Sequence, residues 1–155
     1  MVIKNNLDRT FGPFGSSTGF FLFIGGAIAT YFSLLGLVIA AIGAFVSFTS
    51  TSTYIDIGNK KIKFSNNIFG LIPIGKWIDI KPDMKLGINK SHHGYRAYVR
   101  GTQPVSIHLR DIRIFLYNSD NKLIMPVKKF NSAELSRKEL IELSTVLGLS
   151  VITNH

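Results

Sequence analysis

The residues best suited to chemistry in this chain are basic, and they lie close together in the sequence. Lys90, His92 and His93 are followed by Arg96 and Arg100. Side chains alternate between the two faces of a strand, so Arg96 and Arg100 are expected on one face. With the three residues before them they form a candidate site for the phosphate of an anionic lipid headgroup. The alternative is a solvated strand face beside a polar loop, an ordinary setting for charged side chains.

Other kinds of site find no support in the residue types. The chain has no cysteine, which excludes thiol catalysis, iron–sulfur clusters and cysteine-ligated zinc. His92 and His93 are adjacent and would point to opposite faces of a strand, and His108 and His155 are distant, so no metal site is predicted. The chain has no nucleophile motif, phosphate-binding lysine loop or paired glutamates, so no catalytic residue or cofactor is predicted.

A long uncharged stretch precedes these residues. The 46 residues between Arg9 and Asp56 carry no charged side chain. One bilayer crossing takes about 20 apolar residues, and residues 14–32 and 34–52 offer 19 each, or ~28 Å of helix. We therefore predict a transmembrane helical hairpin over residues 14–52, after an N-terminal cytoplasmic segment over residues 1–13.

Small residues recur at intervals of four in both halves of this stretch. Such stripes let two helices approach closely in lipid, where large apolar side chains gain nothing by pairing. They are predicted to form the helix contact: Gly25, Ala29 and Ser33 in the first half, and Gly36, Ala40 and Ala44 in the second. The turn is expected near residues 31–36. The alternatives are a single tilted span and a signal peptide, although the apolar run is long for a signal peptide.

Basic residues flank the uncharged stretch on both sides and set its expected orientation. Lys4 and Arg9 precede it, and three lysines follow it at positions 60, 61 and 63. Because Lys and Arg prefer the cytoplasmic side of a membrane, both termini are expected in the cytoplasm.

Residues 53–155 have the pattern of a β-rich domain. Short alternating runs are separated by Gly, Asn, Asp and Pro, which is typical of an antiparallel meander of about seven strands. Gly58-Asn59 and residues 118–121 mark turns, and Pro126 indicates an irregularity in the last strand. The basic cluster falls on one of these strands and on the turn before it.

An amphipathic helix is predicted over residues 136–147. Ser136 and Glu139 have the spacing of a capping box, in which each side chain accepts a hydrogen bond from the other residue's backbone amide. Apolar residues fall on one face, and Gly148 is placed to end the helix. Because a helix of this length is not stable alone, it must pack on another element, most simply the preceding sheet.

This order of elements resembles small bacterial membrane proteins in which a two-helix membrane hairpin precedes a pleckstrin-homology-like (PH-like) domain. The resemblance rests on the apolar hairpin, the runs Tyr54–Ile57 and Asn59–Ile62, Trp77 at a strand start, and the closing helix through Leu147–Leu149. It implies an α+β membrane protein with a small antiparallel β-barrel or sandwich closed by a C-terminal helix. It also implies the inner (cytoplasmic) membrane of a bacterium.

Charge suggests the partner. The segment Gly58–Lys129 holds 14 Lys and Arg against four Asp, a net charge of +10. Anionic lipid attracts such a surface by ~1 kcal/mol per basic residue. We predict a membrane-anchored scaffold or regulatory protein whose basic domain binds anionic lipid or another membrane protein. The alternative is a small enzyme or enzyme subunit acting on a lipid or envelope molecule. Nucleic acid is not favoured, since no recognition helix or RNA-binding motif occurs.

Overall fold

The structure is a computed structural model that describes residues 1–97 and 105–152, with the backbone alone for residues 91–97 and 105–110. Within these ranges the fold is α+β, with two largely antiparallel sheets. The helices are α1 (Gly12–Ala29), α2 (Leu35–Phe48) and α3 (Ala133–Leu147). The strands are β1 (Val2–Arg9), β2 (Ser50–Asp56), β3 (Lys61–Ile68), β4 (Ile72–Ile74), β5 (Trp77–Asp79), β6 (Lys85–Ala97), β7 (Val105–Tyr117), β8 (Leu123–Phe130) and β9 (Ser150–Ile152).

The chain divides into two compact units. The core unit comprises Met1–Asn6, Thr53–Phe64 and Lys76–His155, and the helical unit comprises Leu7–Ser52 and Ser65–Gly75. These units divide the chain differently from the predicted segments in two respects. The first residues of the chain belong to the core unit, not to a separate segment. The helical unit also takes residues 65–75 from the part of the chain predicted to be the β-rich domain.

In the helical unit, α1 and α2 are separate helices. Helix α1 ends at Ala29 and α2 begins at Leu35, whose amide donates to Ser33 Oγ at 3.3 Å. The break overlaps the predicted turn, so the apolar stretch forms two helices and not one continuous helix. Helix α1 has 18 residues with a mean hydropathy of 1.2, which is long and apolar enough to cross a membrane, whereas α2 is apolar but shorter.

Strands β1 and β2 are neighbours in one sheet although both apolar helices separate them in sequence. The Thr10 amide donates to the Thr49 carbonyl at 3.2 Å, so the chain enters α1 and leaves α2 at adjacent points. Strand β1 was not predicted, because one of its buried residues is Asn5 and not an apolar residue. The Asn5 side chain donates to the Val127 carbonyl at 3.3 Å, which satisfies the buried amide.

One apolar core holds the core unit together. Leu140, Leu143 and Leu147 recur at helical spacing on α3 and are buried. They join buried side chains from the strands and from the β5–β6 connection: Ile55, Ile62, Ile80, Met84, Leu86, Ile114, Leu116, Met125 and Val127. The predicted packing of the helix on the strands is thus confirmed. Gly148 ends α3 as predicted, with a left-handed φ of 69° that favours glycine.

Helix α3 begins at Ala133, three residues before the predicted start at Ser136. Ser136 Oγ donates to the Ala133 carbonyl at 2.7 Å, and Glu139 Oε1 accepts from Lys128 Nζ at 2.5 Å. The capping-box prediction is wrong because both of its side chains have other partners.

The described strands form two sheets and not a closed barrel. The first has the order β1-β2-β3-β4, with β5 also pairing with β3, and the second has the order β8-β7-β6-β9. Strands β6 and β7 have 13 residues each and pair from Lys85↔Tyr117 to Ala97↔Val105. The sequence analysis had divided this long hairpin into shorter strands.

Several local predictions are confirmed. Strand β5 begins at Trp77, and the two predicted turns connect β2 to β3 and β7 to β8. The pairing of β7 with β8 has two register shifts, and Pro126 lies between them. Such irregularities accommodate a proline, which has no amide hydrogen to donate.

Candidate functional site: a basic groove beside α3

A groove of about 860 Å³ lies in the core unit between α3 and strands β6 and β9. It forms because β9 pairs in parallel with only the first part of β6, from Lys85↔Ser150 to Gly87↔Ile152. Beyond Gly87, β6 continues without β9 at its side, and α3 lies across this part of the sheet. The groove therefore begins where β9 ends.

The groove has an apolar floor and a basic rim. Its apolar lining includes Ile88, Ile112, Leu140, Val151 and Ile152. Lys90 on β6 and Arg137 on α3 also line it, and both are exposed. Among the described residues, no Asp or Glu lines the groove. This arrangement suits an anionic ligand that also carries an apolar portion.

Two elements distant in sequence bring Lys90 and Arg137 to one groove. Lys90 pairs in register with Ile112 of the neighbouring strand. Arg137 precedes Leu140 by three residues and Ile141 by four, a spacing that places side chains on one face of a helix. The packing of α3 on the sheet therefore carries Arg137 to the rim.

The structure describes only part of the predicted anion site. Lys90 lines the groove. The backbone of His92, His93 and Arg96 lies on β6, paired with β7, but their side chains lie outside the description. Arg100 is outside the described residues altogether. The sequence analysis missed Arg137, although its position beside the apolar face of the predicted helix was a usable signal.

A second charged cluster is buried on β7 and β8. Asp111 Oδ2 accepts hydrogen bonds from Arg113 Nε at 3.0 Å and Arg113 Nη2 at 2.5 Å. Lys129 Nζ lies 3.1 Å from the same oxygen. Asp111 and Arg113 alternate along β7 with Ile112 and Ile114, so the cluster lies on the sheet face opposite the groove.

Burial and ion pairing act in opposite directions on Asp111. Burial disfavours the charged carboxylate, but the hydrogen bonds from Arg113 and Lys129 outweigh it and lower the pKa of Asp111 below its ordinary value of 3.8. Among the described residues, Asp111 Oδ1 has no hydrogen-bond partner. A carboxylate held ionised by two buried or half-buried cations is suited to fixing strands together, not to transferring protons.

On the surface of the core unit, the β2–β3 turn holds another ionised carboxylate. The Asn59 side chain donates to Asp56 Oδ2 at 2.7 Å, and the Asn59 amide donates to Oδ1 at 3.3 Å. These bonds lower the pKa of Asp56. They stabilise the turn that Gly58-Asn59 predicted.

The helix contact is made by small residues, but not by all those predicted. A Cβ added to Gly26 would lie 2.3 Å from the Ala40 amide nitrogen, and one added to Gly43 would lie 2.3 Å from the Phe23 amide nitrogen. Gly36 is also buried, against the backbone of residues 29 and 30. By contrast, a Cβ at Gly25 would meet nothing within 4 Å.

The rest of the predicted stripe is divided. Ala29, Ala40 and Ala44 are half-buried, and Ser33 is exposed in the connection between the helices. The contact on α1 therefore runs through Ser16, Gly19 and Gly26, one position away from the predicted stripe. The spacing of small residues correctly indicated a close helix contact. It did not distinguish Gly25 from the adjacent Gly26, which is the residue that lies in the contact.

Within the described residues, no three His, Asp or Glu side chains gather as metal ligands would. Comparison of the chain with protein-family models, with curated proteins and with solved structures finds no match. Functional inference therefore starts from the groove, the buried ion cluster and the two apolar helices.

Proposed function

We propose that this protein is a membrane-anchored protein whose core unit binds anionic phospholipid headgroups in the groove beside α3. The observation that carries the proposal is the groove lining, in which Lys90 and Arg137 flank an apolar floor without any described carboxylate. A phospholipid offers the matching chemistry, a phosphate for the cations and acyl carbons for the floor. The role of such binding would be regulatory or scaffolding, as the sequence analysis predicted.

The apolar helices support the membrane anchor. Large side chains on α1 and α2 point outward, and Phe21 is 74 % exposed and Leu35 71 % exposed. Their inner faces are glycine and serine, the arrangement that favours helix association in lipid. At 14 residues α2 gives ~21 Å of helix, so a full second crossing needs the connection residues or a locally thinner bilayer.

The hydrogen bond between Thr10 and Thr49 supports a topology with both ends of the helix pair on one side of the membrane. Lys4 and Arg9 on one flank and Lys60 and Lys61 on the other favour the cytoplasm of a bacterium for that side. Reporter fusions at the two termini test this orientation, and activity of the two reporters on opposite sides would overturn it.

An amphipathic helix packed across one of two sheets also supports a PH-like ancestry for the core unit. The two open sheets and strand β1, which is placed before the apolar helices, depart from the expected barrel. The proposal of lipid binding rests on the groove and does not require the resemblance.

Lipid binding can be tested by native mass spectrometry of the detergent-solubilised full chain titrated with phosphatidylglycerol or phosphatidylcholine. The double variant Lys90→Ala/Arg137→Ala is expected to weaken phosphatidylglycerol binding about 30-fold, from ~1 kcal/mol per cation. Phosphatidylcholine binding should change little. Added salt should reduce the difference in phosphatidylglycerol affinity between the parent protein and the double variant, because salt screens exposed charges.

A matched control is Lys122→Ala, which removes an exposed cation from the β7–β8 turn. It should leave phosphatidylglycerol binding within twofold of the parent. Equal losses for Lys122→Ala and each groove variant would mean that diffuse positive charge binds the lipid. Unchanged binding in the double variant would exclude the groove as the site.

A further inference from the structure

The β3–β4 hairpin of the helical unit, residues 66–74, carries an unusual concentration of exposed apolar side chains. Leu71 is 83 % exposed, Ile72 is 56 % and Ile74 is 54 %. Strand β4 is also the last strand of its sheet, so within the described part of the chain one of its edges has no neighbouring strand. Soluble proteins normally protect such an edge with charge or a covering element. Pro73 limits strand pairing at this edge but does not reduce its apolarity.

The sequence of this hairpin is free of charge. Residues 64–75 contain no Lys, Arg, Asp or Glu, and Lys63 and Lys76 lie directly on either side. It is the second uncharged segment of the chain, after the long stretch between Arg9 and Asp56, and it has a lysine at each end. An apolar segment between two basic residues is the pattern of a chain that meets a membrane and returns.

The hairpin contacts the ends of the apolar helices inside the helical unit. The Phe69 ring packs edge to face on Phe45 of α2, with centroids 5.7 Å apart, and Phe45 packs in the same way on Phe11. At the base of the hairpin, buried Asn67 donates to Ser52 Oγ at 2.7 Å. The exposed apolar surface of the hairpin is therefore continuous with that of the helices at the end where the chain enters α1 and leaves α2.

The turn of the hairpin has an aromatic residue in a backbone conformation that is unfavourable for large side chains. Phe69 has a φ of 53° and Gly70 a φ of 71°. The left-handed region suits glycine, asparagine or aspartate, and it strains a bulky side chain. A strained residue persists where its surroundings hold it. Here the ring contact with Phe45 holds Phe69, and the exposed Leu71 follows it in the turn.

We infer that the β3–β4 hairpin is a third membrane-contacting element, which inserts Leu71, Ile72 and Ile74 into the interfacial layer of the bilayer. The inference rests on the proposed anchoring of α1 and α2, because the hairpin adjoins the ends of those helices. Hydrocarbon near the headgroups is the occupant that fits an uncharged apolar edge between two lysines. The insertion fixes the depth of the helix ends and removes an exposed strand edge from water.

The absence of native cysteine permits a direct test. Single-cysteine variants of the full chain, Leu71→Cys and Ile74→Cys, are labelled with an environment-sensitive fluorophore and reconstituted in vesicles of phosphatidylcholine and phosphatidylglycerol. Both labels are expected to emit at shorter wavelength, to be quenched by lipids spin-labelled near the headgroup, and to resist aqueous iodide. Phe21→Cys on α1 is the membrane control, and Ser119→Cys in the exposed β7–β8 turn is the aqueous control.

The outcomes separate this inference from the proposed anchor. If Phe21→Cys is quenched by lipid while both hairpin labels are quenched by iodide, the hairpin lies in water and the inference fails, but the anchor stands. If the hairpin labels resist both quenchers, protein covers them, and the inference fails again. If iodide quenches Phe21→Cys as strongly as Ser119→Cys, the proposed anchor itself fails.

Discussion

The helices of the two units bury opposite kinds of side chain. Helix α3 of the core unit buries Leu140, Leu143 and Leu147 and exposes most of its charged residues. Helices α1 and α2 of the helical unit bury glycine and serine and expose phenylalanine, leucine and isoleucine. A helix in water is stabilised by removing large apolar groups from solvent. A helix pair in lipid gains nothing from that and is stabilised by close backbone contact.

The two units also differ in their content of charged residues. Described charged residues are absent between Arg9 and Asp56, whereas the core unit buries Asp111 and Arg113 as an ion pair. A single substitution can disrupt each helix contact or the buried ion pair. The resulting change in stability can then be compared with that of a similar substitution at a control position.

The largest effect is expected from Asp111→Asn, because it removes the negative charge that Arg113 and Lys129 contact. Breaking a buried ion pair from one side costs about 3–5 kcal/mol. Urea unfolding of the solubilised full chain, followed by the fluorescence of Trp77, measures the loss in the core unit. The control Asp79→Asn breaks an exposed pair with Lys61 and should cost less than about 1 kcal/mol. Equal losses in both variants would contradict a special role for the buried pair.

The effect of Asp111→Asn should depend on pH. Because folding lowers the pKa of Asp111, its stabilising contribution is present above the ordinary value of 3.8 and is lost as pH falls through the folded-state pKa. The difference in unfolding free energy between parent and variant should therefore shrink below pH 3.8. A difference that stays constant down to the acid limit of the measurement would show that the ionised carboxylate is not its source.

Leu143→Ala tests the apolar contact of α3. Leu143 is 6 % exposed, and its truncation leaves a cavity that costs about 3 kcal/mol. Leu135→Ala removes the same atoms from a side chain that is 60 % exposed, so it should change the unfolding free energy by less than about 0.5 kcal/mol. The same urea titration serves for both variants. Similar losses would mean that α3 does not pack on the sheet by its leucine face.

Gly26→Ala tests the opposite kind of contact. Its new methyl group meets the Ala40 backbone, so the helices must separate, at a cost of about 2 kcal/mol. Gly25→Ala adds the same methyl group to open space and should be neutral or slightly stabilising. Thermal unfolding in mild detergent, followed by the helical circular dichroism signal, compares the two. A larger loss for Gly25→Ala would restore the stripe predicted from the sequence.

The smallest effect is expected from Phe21→Ala. Phe21 is large and apolar, but it is exposed, and in lipid it stays exposed when the helices separate. The loss should stay within about 0.5 kcal/mol in the same thermal experiment, far below the ~3–5 kcal/mol of a phenylalanine in a water-excluded core. A loss comparable with that of Leu143→Ala would indicate that this face packs against another protein chain.

Local signals in the sequence predicted much of this fold. Gly148 has the conformation that its residue type favours, and the turn at Gly58-Asn59 has its expected place. The break between α1 and α2 also overlaps the turn predicted near residues 31–36. Each of these features depends on residues adjacent in the chain, so composition and spacing are sufficient to find them.

Features that depend on distant partners were not predictable. Asn5 is buried because the Val127 carbonyl accepts its hydrogen bond, and nothing near Asn5 indicates this. Ser136 and Glu139 have the spacing of a cap, but Lys128 supplies a stronger partner for the glutamate. Arg137 reaches the groove only because α3 crosses β6. Of the residues predicted to bind an anion, Lys90 is the one whose described side chain lines the groove.

The pairing of β1 with β2 has a consequence for the order of folding during synthesis. Strand β1 leaves the ribosome before β2, and Thr51, whose side chain accepts a hydrogen bond from the Asp8 amide, is 43 residues further along the chain. A flexible segment of that length would oppose the pairing through its closure entropy. Packing of α1 on α2 holds the two strand ends together and removes most of that cost. The hydrogen bond from the Asn5 side chain to the Val127 carbonyl can form only after a further segment is made, because the two residues are 122 positions apart. The nascent chain therefore pairs β1 with β2 only after both helices have formed, and it joins β1 to the second sheet only after β8 has been made.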